Sequence, residues 1–178
     1  MAVFDEKSIQ NLFDSNLRKA KECLASLAFC CSASPSFGGL TGWVFEETIH
    51  HCLAKELSFL GTQAKIGSQE SLEGRSKVDL VVGQRVAVEI KEKGLFDRNA
   101  ADRYGRYMRS ARTKGYSYLY LTREETYQPY REAIKKAVGR RNAFFLDRPG
   151  EWARFVQQIV KELRSPKKSP IDNKKPRT

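Results

Sequence analysis

Apolar residues recur along the chain in two periods, which between them predict most of the secondary structure. From residue 5 to about 27, Ile9, Leu12, Phe13, Leu17 and Ala20 fall at helical spacing. Residues 31–39 are small and rich in helix breakers, which predicts a loop. Thr41 is placed to cap a second helix running to about residue 59, with Phe45, Ile49, Leu53 and Leu57 on its apolar stripe. A short strand is expected over 63–66 and a polar loop over 67–76. Two stronger strands follow over 77–82 and 86–91. A third helix over about 98–113, a buried strand over 116–121, a helix over 126–138, a strand over 143–146 and a last helix over 151–163 complete the order. This alternation predicts an α/β fold in which a mixed β-sheet is flanked by helices.

The two strong strands carry a finer pattern. Val78, Leu80 and Val82 on the first, and Val86, Val88 and Ile90 on the second, are all even-numbered. Facing residues of an antiparallel pair point to the same side of the sheet. A two-residue turn at Gly83-Gln84 would set Val82 opposite Arg85 and send one apolar set to the wrong face. A three-residue connection, Gly83-Gln84-Arg85, sets Val82 opposite Val86, Asp79 opposite Glu89 and Lys77 opposite Lys91. Two facing carboxylates repel unless a cation separates them. Hard oxygen ligands of this kind suit Mg²⁺, for which Mn²⁺ substitutes. Lys91 would then orient or deprotonate an attacking water, or offset charge building on a phosphoryl group. A cross-strand salt bridge on a solvated face would give the same spacing.

Charge extends this picture. The 178-residue chain has a formal net charge of +11, which implies a polyanionic partner. Arg164, Lys167, Lys168, Lys174, Lys175 and Arg177 face one acid, Asp172, in a proline-containing tail expected to be disordered. The remaining residues, 1–163, are still net basic and long enough for one domain. The segment 1–7 has mixed charge, and no apolar run approaches about 18 residues, so neither a signal peptide nor a membrane span is expected. Cys23, Cys30, Cys31 and Cys52 have no C-x-x-C spacing. They are expected to be buried thiols, which fits a cytoplasmic protein. His50 and His51 form no ligand motif, and Trp43 and Trp152 are expected to pack in the core.

With Val78-Asp79-Leu80 followed by Val88-Glu89-Ile90-Lys91, the chain resembles the PD-(D/E)XK, or restriction-endonuclease-like, nuclease superfamily over about residues 40–121. Its core runs helix, three strands, helix, strand (αβββαβ), with an Asp on the second strand and (D/E)-x-K on the third. The resemblance implies a metal-dependent deoxyribonuclease in which Asp79 and Glu89, with the Ile90 carbonyl, hold Mg²⁺ and Lys91 acts on the nucleophile. Gly42-Trp43-Val44-Phe45-Glu46 is similar to the G-x-x-F-E helix start of methylation-dependent restriction nucleases. That match makes Glu46 a further metal ligand, with Glu47 as the rival. Other relatives carry Q-L-x-x-Y on the helix after the third strand. Here Arg103-Tyr104-Gly105-Arg106-Tyr107 supplies the Tyr but has Arg in place of the Gln. Lys93, Arg98, Arg103, Arg106, Arg109 and Arg112 would form a basic rim for backbone phosphates, with Tyr107 beside it. Tyr104 and Tyr107 are otherwise expected in the core. DNA is the implied partner. Within the class the alternatives are a Holliday-junction resolvase, a restriction enzyme, or a repair or phage nuclease; a resolvase or simple restriction enzyme would need a homodimer, whereas an exonuclease would not. A non-catalytic nucleic-acid-binding module of the same fold is the alternative outside the enzyme class.

Overall fold

The computed structural model describes residues 3–30, 39–73, 76–94 and 100–166. The elements run α1 (Glu6–Cys30), α2 (Leu40–Phe59), β1 (Ile66–Glu73), β2 (Ser76–Val82), β3 (Val86–Lys93), α3 (Ala100–Thr113), β4 (Ser117–Glu124), α4 (Gln128–Val138), a short 3₁₀ turn (Arg140–Asn142), β5 (Ala143–Phe145) and α5 (Glu151–Arg164). The strands form one sheet in the order β1-β2-β3-β4-β5. The pairs β1–β2 and β2–β3 are antiparallel, and β3–β4 and β4–β5 are parallel. The fold is therefore α/β, with a five-stranded mixed sheet and helices on both faces.

Both faces are buried at the sheet centre, which fits the apolar run Val86-Ala87-Val88 of β3 and the apolar and aromatic run Tyr118-Leu119-Tyr120-Leu121 of β4. On one face Leu80, Val82, Val86, Val88, Ile90, Leu119 and Leu121 pack beneath α1, α2 and α5. On the other, Val81, Ala87, Tyr118 and Tyr120 pack beneath α3 and α4. Glu56 of α2 is fully buried and ties the N-terminal segment to α5 within this helical layer. Its Oε1 accepts the Phe4 amide at 2.7 Å and the Trp152 indole Nε1–H at 3.2 Å. Glu6 of α1 accepts the Trp152 amide at 2.7 Å, which also satisfies an open N–H in the first turn of α5.

The structure corrects several expectations. The polar stretch 67–76, read as a loop, is mostly strand: β1 begins at Ile66, where the expected strand ended. It lies at the sheet edge, so β2 supplies its backbone partners and no apolar alternation is needed to hold it. A register shift interrupts its pairing between Ser71 and Glu73. Thr41 does not cap α2. Gly39, in the left-handed region at φ 84°, starts the helix, and its carbonyl accepts the Trp43 amide at 3.0 Å. Trp43 is not a core residue: it is 55% exposed, whereas Trp152 is buried. Trp43 lies off the stripe through Phe45 and Ile49 that meets the sheet. Cys23 is exposed on α1, and only Cys52 is a buried thiol among the described residues, its pKa pushed up to about 12 by burial and then by Glu56. The side chain of Cys30, the loop with Cys31, Arg98 and the tail 167–178 lie outside the described residues.

Candidate functional site

The β2–β3 connection decides the geometry of the candidate site. Gly83 and Gln84 both adopt positive φ, 58° and 54°, and the Arg85 amide donates to the Val82 carbonyl at 3.1 Å. This is the tight turn that by itself would misplace the strands. Arg85, however, stays out of the ladder as one extra residue, and the pairs are Val82↔Val86, Val81↔Ala87 and Leu80↔Val88. The three-residue connection expected from the apolar pattern is therefore present. Arg85 is fixed by other partners. Its carbonyl accepts the Ser117 amide at 2.8 Å, and its guanidinium donates to the Leu163 carbonyl at 3.0 Å and to that of Ser165, at the C-terminal end of α5.

Regular β2–β3 pairing ends at Leu80↔Val88, one step before Asp79 and Glu89. Beyond that pair a side chain takes over, and Asp79 Oδ2 accepts the Ile90 amide at 2.6 Å. The same oxygen lies 3.4 Å from Lys91 Nζ, which is 2.7 Å from Glu89 Oε1. Asp79, Glu89 and Lys91 thus meet on the face covered by α3. Val78, at the same end of β2, is buried on that side too, and does not join Leu80 and Val82 as its even number predicted. The side chain of Lys77 lies outside the described residues, and its backbone pairs with Ser71 of β1.

Burial and like charge act together on the acids. Glu89 is 4% exposed, and its Oε2 has no hydrogen-bond partner among the described residues. Burial, with the Asp79 and Glu46 carboxylates, pushes its pKa up to about 7 against the opposing Lys91 ammonium. Glu46 is brought in from α2, near enough for Asp79 and Lys91 to act on it. Its carboxyl is also pushed up to about 7, by burial first and by Asp79 next. Glu47 is exposed. Burial alone would lower the pKa of Lys91, but the Glu89 and Asp79 carboxylates outweigh it and hold the ammonium above its ordinary range.

A layer of tyrosines closes the inner side. Glu89 pairs with Tyr120 across the parallel β3–β4 ladder, and Ala87 with Tyr118. The hydroxyls of Tyr118 and Tyr120 are buried, that of Tyr118 without a hydrogen-bond partner among the described residues, and burial raises both well above the ordinary phenol range. Tyr104 of α3 lies over Tyr120 with ring centres 4.8 Å apart, and over Tyr107 at 6.3 Å. Tyr118 and Tyr120 read in the sequence only as strand formers. Their place beside Glu89 depends on the parallel register, which leaves no local pattern.

The basic residues of α3 divide. Arg103 is exposed near Tyr104, whose phenol feels its charge. Arg106 lines a cleft between α3 and α4, and Tyr107 is half-buried on the tyrosine layer. Lys93 is exposed at the end of β3. His51 is exposed and His50 half-buried on α2.

The donors around Asp79 and Glu89 are hard oxygens, which suit a divalent cation of the Mg²⁺ type. Glu89 Oε2, without a hydrogen-bond partner among the described residues, is the oxygen of this group left for a cation. Among the described residues, no group of three or more His, Cys, Asp and Glu side chains is arranged as a ready cage. The Lys91 ammonium bridges Glu89 and Asp79 instead. Among the described residues, no helix is long and apolar enough to cross a membrane. No family model, curated protein or solved structure matches the chain.

Proposed function

We propose that the protein is a Mg²⁺-dependent deoxyribonuclease of the PD-(D/E)XK, restriction-endonuclease-like class. The observation that carries the reading is the meeting of Asp79, Glu89 and Lys91 on one face, with the Glu46 carboxyl supplied by α2. The element order α2-β1-β2-β3-α3-β4 supports it, since the helix, three strands, helix and strand of that core follow in sequence.

Glu46, Asp79 and Glu89 would hold the metal. The N–H and C=O of one strand residue share an edge, so the Ile90 carbonyl lies on the edge whose amide meets Asp79. The bound ion would neutralise phosphate charge and assist ionisation of a water. Asp79 keeps its place through the Ile90 amide. Lys91, kept protonated by its two carboxylates, acts as a hydrogen-bond donor and positive charge toward the phosphate, rather than as a base. Glu89 Oε2, with no hydrogen-bond partner among the described residues, would be open to the ion. Lys93, Arg103, Arg106 and Tyr107 would contact DNA.

One observation favours a second reading. Lys91 already neutralises the carboxylate pair, as it would in a nucleic-acid-binding module with no catalysis. The deciding experiment is cleavage of linear, nicked, single-stranded and four-way DNA with Mg²⁺ or Mn²⁺. The pattern separates exonuclease, restriction and junction-resolving activity, and a gel-filtration mass tests for the dimer that paired cuts require. Cleavage that persists unchanged in Asp79→Ala and Lys91→Ala would sink the nuclease reading. Salt-sensitive DNA binding with no cleavage and no metal dependence would establish the binding module.

A further inference from the structure

A cleft of about 640 Å³ runs between α3 and α4, and none of the carboxylates that the proposed function uses lines it. Its lining includes Arg106, Arg109, Lys136 and one acid, Asp102. Its floor is low because Gly105 has no side chain. A Cβ there would meet the Ala137 carbonyl at 3.4 Å and the Arg109 guanidinium Nη1 at 3.6 Å. The two helices therefore approach closely, and the guanidinium lies over the glycine. Arg106, Arg109 and Lys136 are exposed, and among the described residues none has an ion-pair partner. Three cations from two helices around one concave space, against a single acid, form a surface that attracts phosphate oxygens. Guanidinium groups suit phosphate through paired N–H donors, and a lysine adds a point charge.

We infer that the α3–α4 cleft is a phosphodiester-binding groove that holds the backbone of a nucleic-acid strand. The inference extends the proposed function from the cleavage site to a second contact on the same substrate, and it rests on that reading for the identity of the polyanion. Contacts of this type carry affinity without reading bases, because they engage only the backbone.

The test measures binding rather than cleavage, so the two readings fail separately. A labelled 30-base-pair duplex and its single strand are titrated in EDTA over a range of salt, with the full-length protein and with Arg109→Ala/Lys136→Ala. A control variant, Lys19→Ala/Lys55→Ala, removes the same charge from exposed positions on α1 and α2. The cleft variant should bind at least about fivefold more weakly at low salt, and its log–log salt slope should fall by about one to two, one per lost phosphate contact. The control should lose clearly less affinity, and the melting temperatures of all three should agree. Equal losses in the cleft and control variants would overturn the inference, as would unchanged binding or no wild-type binding. A competition arm uses inorganic phosphate. If millimolar phosphate binds through Arg109 and Lys136 while DNA affinity is unaffected, the cleft is a small-anion site and the inference fails. If the cleft variant weakens binding but wild type never cleaves, the groove stands and the nuclease reading falls.

Discussion

Asp79 Oδ2 accepts the Ile90 amide N–H at 2.6 Å, so one carboxylate both faces Lys91 and continues the β2–β3 connection past its last regular pair. Two variants separate these roles. Asp79→Asn keeps an oxygen acceptor for Ile90 and should fold with near-native stability, yet lose Mn²⁺ binding and at least about 100-fold in cleavage rate. Asp79→Ala leaves the amide unpaired and should cost a further ~1–3 kcal/mol of stability. Urea unfolding and calorimetric Mn²⁺ titration of both variants measure the difference.

Lys91 bridges two carboxylates that would otherwise repel. Lys91→Met should cost at least about 100-fold in cleavage while retaining metal binding. Without the ammonium, the carboxylate pair gains more from a bound Mg²⁺. The rise in melting temperature on adding Mg²⁺ should therefore be larger in Lys91→Met than in wild type. A smaller rise would count against the carboxylates as ligands.

Glu46 and Glu89 both have carboxyls raised to about 7 from an ordinary 4.5 in the metal-free protein. Between those values the folded state holds protons that the unfolded chain has released, so stability falls as pH rises through the window. In EDTA, these two groups make the protein more stable at about pH 5.5 than at about pH 8. Mg²⁺ requires the deprotonated acids, so its stabilising effect should grow as pH rises through 7. Calorimetry at several pH values, with and without Mg²⁺, tests both signs, and Glu89→Gln should flatten the metal-free profile.

Glu56 joins the N-terminal segment to α5 through Phe4 and Trp152. Glu56→Ala removes an acceptor from two donors and should destabilise by ~2–4 kcal/mol, with a changed near-ultraviolet signal from Trp152. Glu56→Gln, which keeps an acceptor, should be milder. Equal effects of the two variants would show that Glu56 matters only through packing volume.

Gln84 occupies the left-handed region at φ 54°, where a side chain is disfavoured. Gln84→Gly relieves that strain against the entropy cost of glycine, and should raise stability by up to ~1 kcal/mol without changing cleavage. Equilibrium urea unfolding measures it.

The hairpin was legible in the sequence because its period is local. Alternation of Leu80 and Val82 with Val86 and Val88 admits one register if those residues share a core face, and that register makes Arg85 the extra residue. The α/β alternation and most helix positions were legible for the same reason, since each element's buried stripe is written in consecutive residues. Edge strand β1 was not, because its stretch from Gly67 to Glu73 is mostly polar and backbone pairing to β2 leaves no mark in the sequence. Trp43 was misread because helical spacing tells which residues share a face, while only packing tells which faces are covered. What the tertiary structure alone decided is the environment of the candidate site. It brings Glu46 from α2 toward Asp79, sets Tyr118 and Tyr120 behind Glu89 through a parallel pairing, and opens the cleft where Gly105 of α3 meets Ala137 of α4. Each depends on contacts between segments far apart in the chain, where composition and period carry no record of distance.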